Sequence, residues 1–313
     1  MEPCFAGRYQ AERRIGSGAY GNVFAGVDRE SGEQVAIKVE PNLTKNPKLL
    51  LEAKVCKALT GRPGFPKVRH VCMEAKGNVL IMDLLGPSLE ELCTLRGGRL
   101  GLDTVLMLGE QLVQRLEILH SLGYVHRDIK PQNVLLGRGP DAGIAHLIDF
   151  GLCKRFRDPV TDQHIEYRDR KALVGTMMYA SVNALRGAEL SRRDDLEAVG
   201  YVLLHLLCGS LPWQHLPHLF TKRASYESLL QAKANLSVSQ VCADVKEGHS
   251  ELCEFLTYCK GLGFKECPDY SYLRRLFAEG LERYGYRRDG PFEGFPRGPP
   301  SRGLSFESGD SSI

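Results

Sequence analysis

Through the first 85 residues, apolar and polar positions alternate in short runs broken by glycine. GRYQAERRIGSGAYGNVFAGVDRESGEQVAIKVE reads as strand, Gly-rich turn, strand, Glu-Ser-Gly turn, strand. One helix is expected from Asn46 to Leu59, and NVLIMDLL supplies a further strand. From Gly86 the period becomes helical. Val105, Leu108, Leu112, Leu116 and Leu119 mark the apolar stripe of a helix with Asp103 as its expected N-cap. DDLEAVGYVLLHLLCG predicts a second apolar helix that stops at Gly209, with Pro212 just beyond. Further helices are expected over 225–234, 249–260 and 270–283. The stretch from Arg287 is rich in Gly, Pro and Ser and predicts a disordered tail. The expected layout is a small β-rich lobe (1–85), a large helical lobe (86–286) and a short tail (287–313).

Composition changes this picture little. The 313 residues suffice for two lobes, and 43% hydrophobic with 25% charged content is ordinary for a globular protein. No apolar run approaches the length of a membrane span, and the N-terminus lacks a signal-peptide pattern, so an intracellular protein is expected. The expected location is cytoplasmic, and basic patches leave nuclear entry open. Ten cysteines without a C-x-x-C pair are expected to be buried thiols rather than zinc ligands or disulfides. The net charge is only +3, yet residues 151–193 hold nine Lys/Arg against five Asp/Glu, or +4 in that window alone. Such an excess is a solvated face or a site for acidic and phosphorylated partners.

Candidate chemistry sharpens the reading. Gly16, Gly18 and Gly21 form a G-x-G-x-x-G, a weak signal alone. A dinucleotide fingerprint should open a helix. Here a β-type run follows, so the glycines belong in a hairpin whose N–H groups can cover phosphates. Lys38 is a charge in an apolar strand and needs a partner, for which Glu52 on the following helix is the natural choice. Such a pair can hold an ammonium against nucleotide phosphates. The strongest signal is His126-Arg127-Asp128-Ile129-Lys130-Pro131-Gln132-Asn133. Asp128 can orient a substrate hydroxyl and accept its proton. Lys130 can neutralise a γ-phosphate. Asn133 and, further on, Asp149 of Asp149-Phe150-Gly151 offer oxygen ligands to Mg²⁺.

These motifs in this order resemble the eukaryotic protein kinases. LLGPSLEEL, FRDPVTDQHIEYRDR, YASVN, SRRDDLEAVGYVL, GSLPWQ and PDYSYLRRLF resemble the casein kinase I family in particular, over roughly residues 8–285. Ser181-Val182-Asn183 stands where that family replaces the usual Ala-Pro-Glu. The resemblance implies an α+β bilobal kinase fold, ATP and Mg²⁺ as cofactors, and transfer to Ser or Thr in acidic or phosphorylated protein substrates. By motif match it places ATP against Ile15, Gly16, Gly18, Gly21, Val23, Ala36, Lys38, Glu52, Met82, Asp83 and Leu85. Met82 would close the back of the adenine pocket, and the segment from Asp83 through Leu85 would be the hinge. Asp195 matches the buried Asp that braces the catalytic loop. No nucleic-acid partner is expected, and a monomer is. Two rivals remain: a pseudokinase scaffold and a dinucleotide enzyme.

The chain departs from that family in GTMMYASVN (175–183). Met178 stands where relatives carry Arg, and Ser225 where they carry Lys, both in the pocket for a priming phosphate. Lys154, Lys171, Lys222 and Arg223 remain as basic candidates for substrate recognition. A recognition surface rebuilt from ionic to apolar and neutral change at an exposed position both fit Met178. The resemblance also implies activity without activation-segment phosphorylation, and Thr161 is the only Ser or Thr in 152–174. Ser305, Ser308, Ser311 and Ser312 in the tail are candidate sites of autophosphorylation.

Overall fold

The structure, a computed structural model, describes residues 3–18, 21–42, 44, 47–75, 77–214, 216 and 222–287. At 18 and 222–225 only the backbone is described. Asn46 and the serines of the tail lie outside the described residues.

The chain opens with six strands, β1 (Cys4–Phe5), β2 (Tyr9–Gly18), β3 (Gly21–Asp28), β4 (Gln34–Pro41), β5 (Val68–Glu74) and β6 (Gly77–Asp83). They form one antiparallel sheet in the order β1-β2-β3-β4-β6-β5. Between β4 and β5 runs helix α1 (Leu49–Leu59). One face of the sheet buries Tyr9, Val35, Ile37, Val79 and Ile81, while Leu80 packs against Leu49 and Ala53 of α1. The helix begins three residues later than the sequence pattern predicts. Its entry is set from outside: the carboxylate of Glu40 on β4 accepts the Lys48 and Leu49 N–H groups at 2.6 and 3.2 Å. A side chain eight residues upstream does the work of a local N-cap.

After Asp83 the chain is helical, as expected: α2 (Leu89–Leu95), α3 (Leu102–Ser121), α4 (Val182–Leu185), α5 (Arg192–Cys208), α6 (Lys222–Asn235), α7 (Val238–Val241), α8 (His249–Gly261) and α9 (Tyr270–Arg283). Short strands interrupt them: β7 (Tyr124–Val125), β8 (Val134–Leu136), β9 (Ala145–Leu147) and β10 (Lys154–Arg155), paired β8 with β9 and β7 with β10. Leu108, Leu112, Leu116 and Leu119 of α3, Tyr201 to Leu204 of α5, Phe255 of α8 and Phe277 of α9 fill one large core. The expected cap of α3 is corrected: the N-cap is Gly101, in extended conformation, and Asp103 lies inside the first turn. There its negative charge still faces the positive end of the helix dipole. Helix α5 ends at Gly209 as its sequence requires, with φ 78° in the left-handed region. The small sheet lobe and large helical lobe together form a bilobal α+β fold.

Candidate active site

The glycines of 16–21 sit in a hairpin and open no helix. β2 and β3 pair through Gly16 with Val23, Ser17 with Asn22 and Gly18 with Gly21. Gly21 has φ 130°, and a Cβ there would lie 2.0 Å from the Val39 carbonyl oxygen. Only glycine fits so close to β4. Val23 pairs with Lys38 and Ala36 with Met82 on adjoining strands, so the sheet brings these positions to one region, and Ile15 is exposed. Met82 packs onto the α1 cluster of Leu49, Ala53 and Leu80. Asp83 turns its side chain away, accepting from Arg69 Nε at 2.8 Å and the Lys67 N–H at 3.0 Å. Its N–H donates to the Lys67 carbonyl. Leu85 follows in the connection to the helical lobe, partly exposed.

Lys38 Nζ donates to Glu52 Oε2 at 2.6 Å and to Asp149 Oδ1 at 3.0 Å. Burial works to lower the Lys38 pKa, but the two carboxylates outweigh it and hold the ammonium charged. Burial pushes Glu52 up to about 7, against the pull of Lys38. Burial would raise Asp149 too, yet Lys38 holds its carboxyl below the usual range, so it is ionised at neutral pH. Asp149 has φ 63°, a left-handed conformation costly for a non-glycine residue, and it starts a turn in which Phe150 is fully buried. The Phe150 ring packs edge-on to His126 at 5.4 Å and tilted to Phe65 at 6.1 Å. That packing anchors the turn with Asp149 aimed at Lys38.

A second cluster surrounds Asp128. Lys130 Nζ lies 2.8 Å from Asp128 Oδ2, and Thr176 Oγ1 donates to Asp128 Oδ1 at 2.8 Å. The Asn133 amide donates to the Asp128 carbonyl at 2.9 Å and to Oδ2 at 3.2 Å. Asn133 thus spends its N–H₂ group on Asp128, which leaves its amide oxygen as the atom to offer a cation. An ionised Asp149 and an amide oxygen are hard ligands that fit Mg²⁺, which takes few protein ligands and completes its shell with water and phosphate. No cluster of three or more His, Cys, Asp or Glu suited to a metal occurs among the described residues.

Beneath this loop lies Asp195, 2% exposed. Its carboxylate accepts the His126 N–H at 2.7 Å and the Arg127 N–H at 2.8 Å, the bracing expected from the sequence. It also meets His120 Nε2 at 2.9 Å. Burial would raise its pKa, but these contacts hold it below the usual range. Arg127, braced there, has φ 70°.

The basic candidates are not equivalent. Lys154 and Lys171 come together over the buried carboxylate of Glu189, at 2.6 and 3.6 Å. Lys222 and Arg223 open α6, but their side chains lie outside the described residues, as does that of Ser225. Position 178 is corrected: the Met178 side chain is half-buried and packs against the helical core, while Met177 is 39% exposed. Sequence reasoning gave no role to Thr176, Glu189 or Lys233. Thr176 and Glu189 are distant in sequence from what they touch, and Lys233 in QAKAN looks like an ordinary surface lysine.

Residues 9–261 match the protein kinase domain family, and the chain belongs to it. Its members transfer phosphate to proteins. No helix among the described residues is long and apolar enough to cross a membrane.

Proposed function

We propose that this chain is a Ser/Thr protein kinase of the casein kinase I type, acting on acidic protein substrates with MgATP as phosphate donor. The observation that carries the reading is the contact between Thr176 and Asp128 at 2.8 Å. An aliphatic hydroxyl on a short side chain is the group Asp128 already receives, and a substrate Ser or Thr presents the same group. Ser181 fits the casein kinase I type: its Oγ donates to Asp194 Oδ1 at 2.7 Å, and Asn183 Nδ2 reaches the same oxygen at 3.2 Å. Ser181-Val182-Asn183 thereby gains an anchor on α5 without a glutamate in the motif.

Bound MgATP supplies an electrophilic γ-phosphoryl group with its charge drawn onto the cation. Lys38 holds phosphate oxygens, and Glu52 keeps its ammonium in place. Asp149 and Asn133 would hold Mg²⁺ through oxygen. Asp128 orients the substrate hydroxyl and accepts its proton at a carboxylate oxygen as the O–H bond breaks. Lys130, beside it, offsets the negative charge that gathers on the transferring oxygens. Ile15, Gly16, Gly18, Gly21, Val23 and Ala36 cover the nucleotide from the sheet, and Met82, Asp83 and Leu85 meet its base.

The basic excess of 151–193 supports an acidic substrate preference. Met178 lacks the charge to bind a priming phosphate, and its half-buried packing suits an apolar contact. Dependence on priming is therefore weak. A peptide array in primed, acidic and neutral versions tests this. Acidic peptides should exceed neutral ones, with a primed-to-unprimed kcat/KM ratio near one. Met178→Arg with Ser225→Lys should raise that ratio about tenfold or more, since a bond to a charged group is worth roughly 1.5–3 kcal/mol. A high ratio in the parent that this double change leaves untouched would overturn the claim.

A further inference from the structure

Lys233 is 1% exposed, and a lysine so deeply buried demands an explanation. It projects from α6 beneath the segment that leaves the Asp128 cluster. Its Nζ donates to three consecutive-region carbonyls: Met177 at 3.2 Å, Met178 at 2.8 Å and Ala180 at 2.7 Å. It also lies 4.6 Å from the Tyr201 ring centroid and 4.5 Å from that of Trp213. Those two rings meet edge to face at 4.8 Å. Trp213 Nε1 adds a second donor to the Met178 carbonyl, at 3.0 Å. An ammonium has three N–H groups, and all three are spent on backbone oxygens of a single turn.

That turn continues directly from the reacting centre. Gly175 packs so closely that a Cβ there would lie 2.3 Å from the Arg127 carbonyl oxygen. Thr176 bonds Asp128, and Met177 is the next residue. A shift of the 177–180 backbone would therefore move the surface against which an acceptor peptide is laid. Lys38, Glu52 and Asp149 bond one another and make none of these contacts, so the shift would leave them in place.

We propose that Lys233 is a positioning residue for the protein substrate: its buried ammonium locks the 177–180 backbone in the shape that receives the acceptor peptide. The proposal rests on the kinase reading of the site. Two charges bear on the ammonium, Glu197 from α5, which favours it, and Lys260 from α8, which opposes it; Tyr201, facing it from α5, bonds Glu197 Oε1 at 2.7 Å. Burial pulls Lys233 down to about 7, with Glu197 pulling against it. Loss of the proton leaves two N–H donors for three carbonyls, so the lock loosens as pH rises through that value.

The test uses the full chain, one acidic Ser peptide without groups that titrate between pH 6 and 8.5, and separate KM values for peptide and ATP. Phosphoryl transfer by the parent checks the kinase reading by itself. Lys233→Met should raise the peptide KM about tenfold and leave the ATP KM within twofold. Lys233→Gln, whose amide can serve two of the three carbonyls, should show a smaller rise of the same kind. In the parent, the peptide KM should climb several-fold from pH 6 to 8.5. This last measurement stands even where the variants fail to fold. An active parent whose peptide KM is flat with pH, or a folded Lys233→Met that shifts both KM values alike or neither, would overturn the proposal.

Discussion

Replacing Asp195 by Asn changes one oxygen to N–H₂ and removes one charge, with almost no change in volume. In the parent, the two carboxylate oxygens accept from His126 N–H, Arg127 N–H and His120 Nε2 at 2.7, 2.8 and 2.9 Å. The Asn oxygen can serve one backbone N–H. Its amide nitrogen then faces the other donor and leaves it unsatisfied in a buried place, at a cost of about 1–3 kcal/mol. Loss of charge weakens the surviving bond by about 1 kcal/mol. The sum is roughly 2–4 kcal/mol, or a fall in Tm of roughly 3–6 °C for a chain of this size. The consequence for chemistry is larger. Arg127 is held at φ 70°, a conformation that costs on the order of 1–3 kcal/mol and persists only while its surroundings enforce it. Relaxation there moves Asp128, the next residue, and a displacement near 1 Å costs about a hundredfold in rate. Thermal melting and steady-state kinetics on one preparation read both effects. An Asp195→Asn variant that melts within a degree of the parent and keeps its kcat would refute the bracing role.

Lys38→Met and Asp149→Asn should each lower kcat at least a hundredfold while circular dichroism stays unchanged, because each removes several kcal/mol of charge stabilisation, and about 1.4 kcal/mol is tenfold; near-full activity in either would contradict its role. Burial lowers His120 against the pull of Asp195, so its folded pKa lies below the usual value of about 6.5. The unfolded chain then binds more protons, stability is held above that value and lost as pH falls through the folded one, and Tm should drop between pH 7 and 5 with a shallower slope in His120→Gln. Phosphatase-treated protein made in bacteria should be active without delay, since Glu189 already supplies a buried carboxylate to Lys154 and Lys171; a lag removed only by an upstream kinase would contradict this.

The fold was legible because the change of hydrophobic period, from two to 3.6, falls where the sheet ends and the helices begin. The hairpin of Gly16 to Gly21 was legible for a related reason: a β-type run on both sides forbids a helix after the glycines. That Asp128, Lys130 and Asn133 come together was legible from a motif shared with the protein kinases, since a tight loop places them side by side. What failed had nonlocal causes. Asp103 has the chemistry of a cap, but Gly101 takes the position. The start of α1 depends on Glu40, a strand residue whose reach no local pattern reveals. Met178 seemed exposed because its neighbours are basic, yet Trp213 and Lys233 fix its carbonyl from below and its side chain packs inward. Lys233 itself sits in a polar run where nothing marks it as buried.

The central claim is that Asp128 and the residues around it carry phosphoryl transfer to a protein hydroxyl. Its most direct measurement is transfer of labelled γ-phosphate from MgATP to an acidic Ser peptide, comparing the parent with Asp128→Asn at matched fold and matched nucleotide occupancy. Stoichiometric labelling of the Ser by the parent, with the variant slower by a hundredfold or more, is the expected result. A parent that binds nucleotide but never labels the peptide, or a variant as fast as the parent, would contradict it.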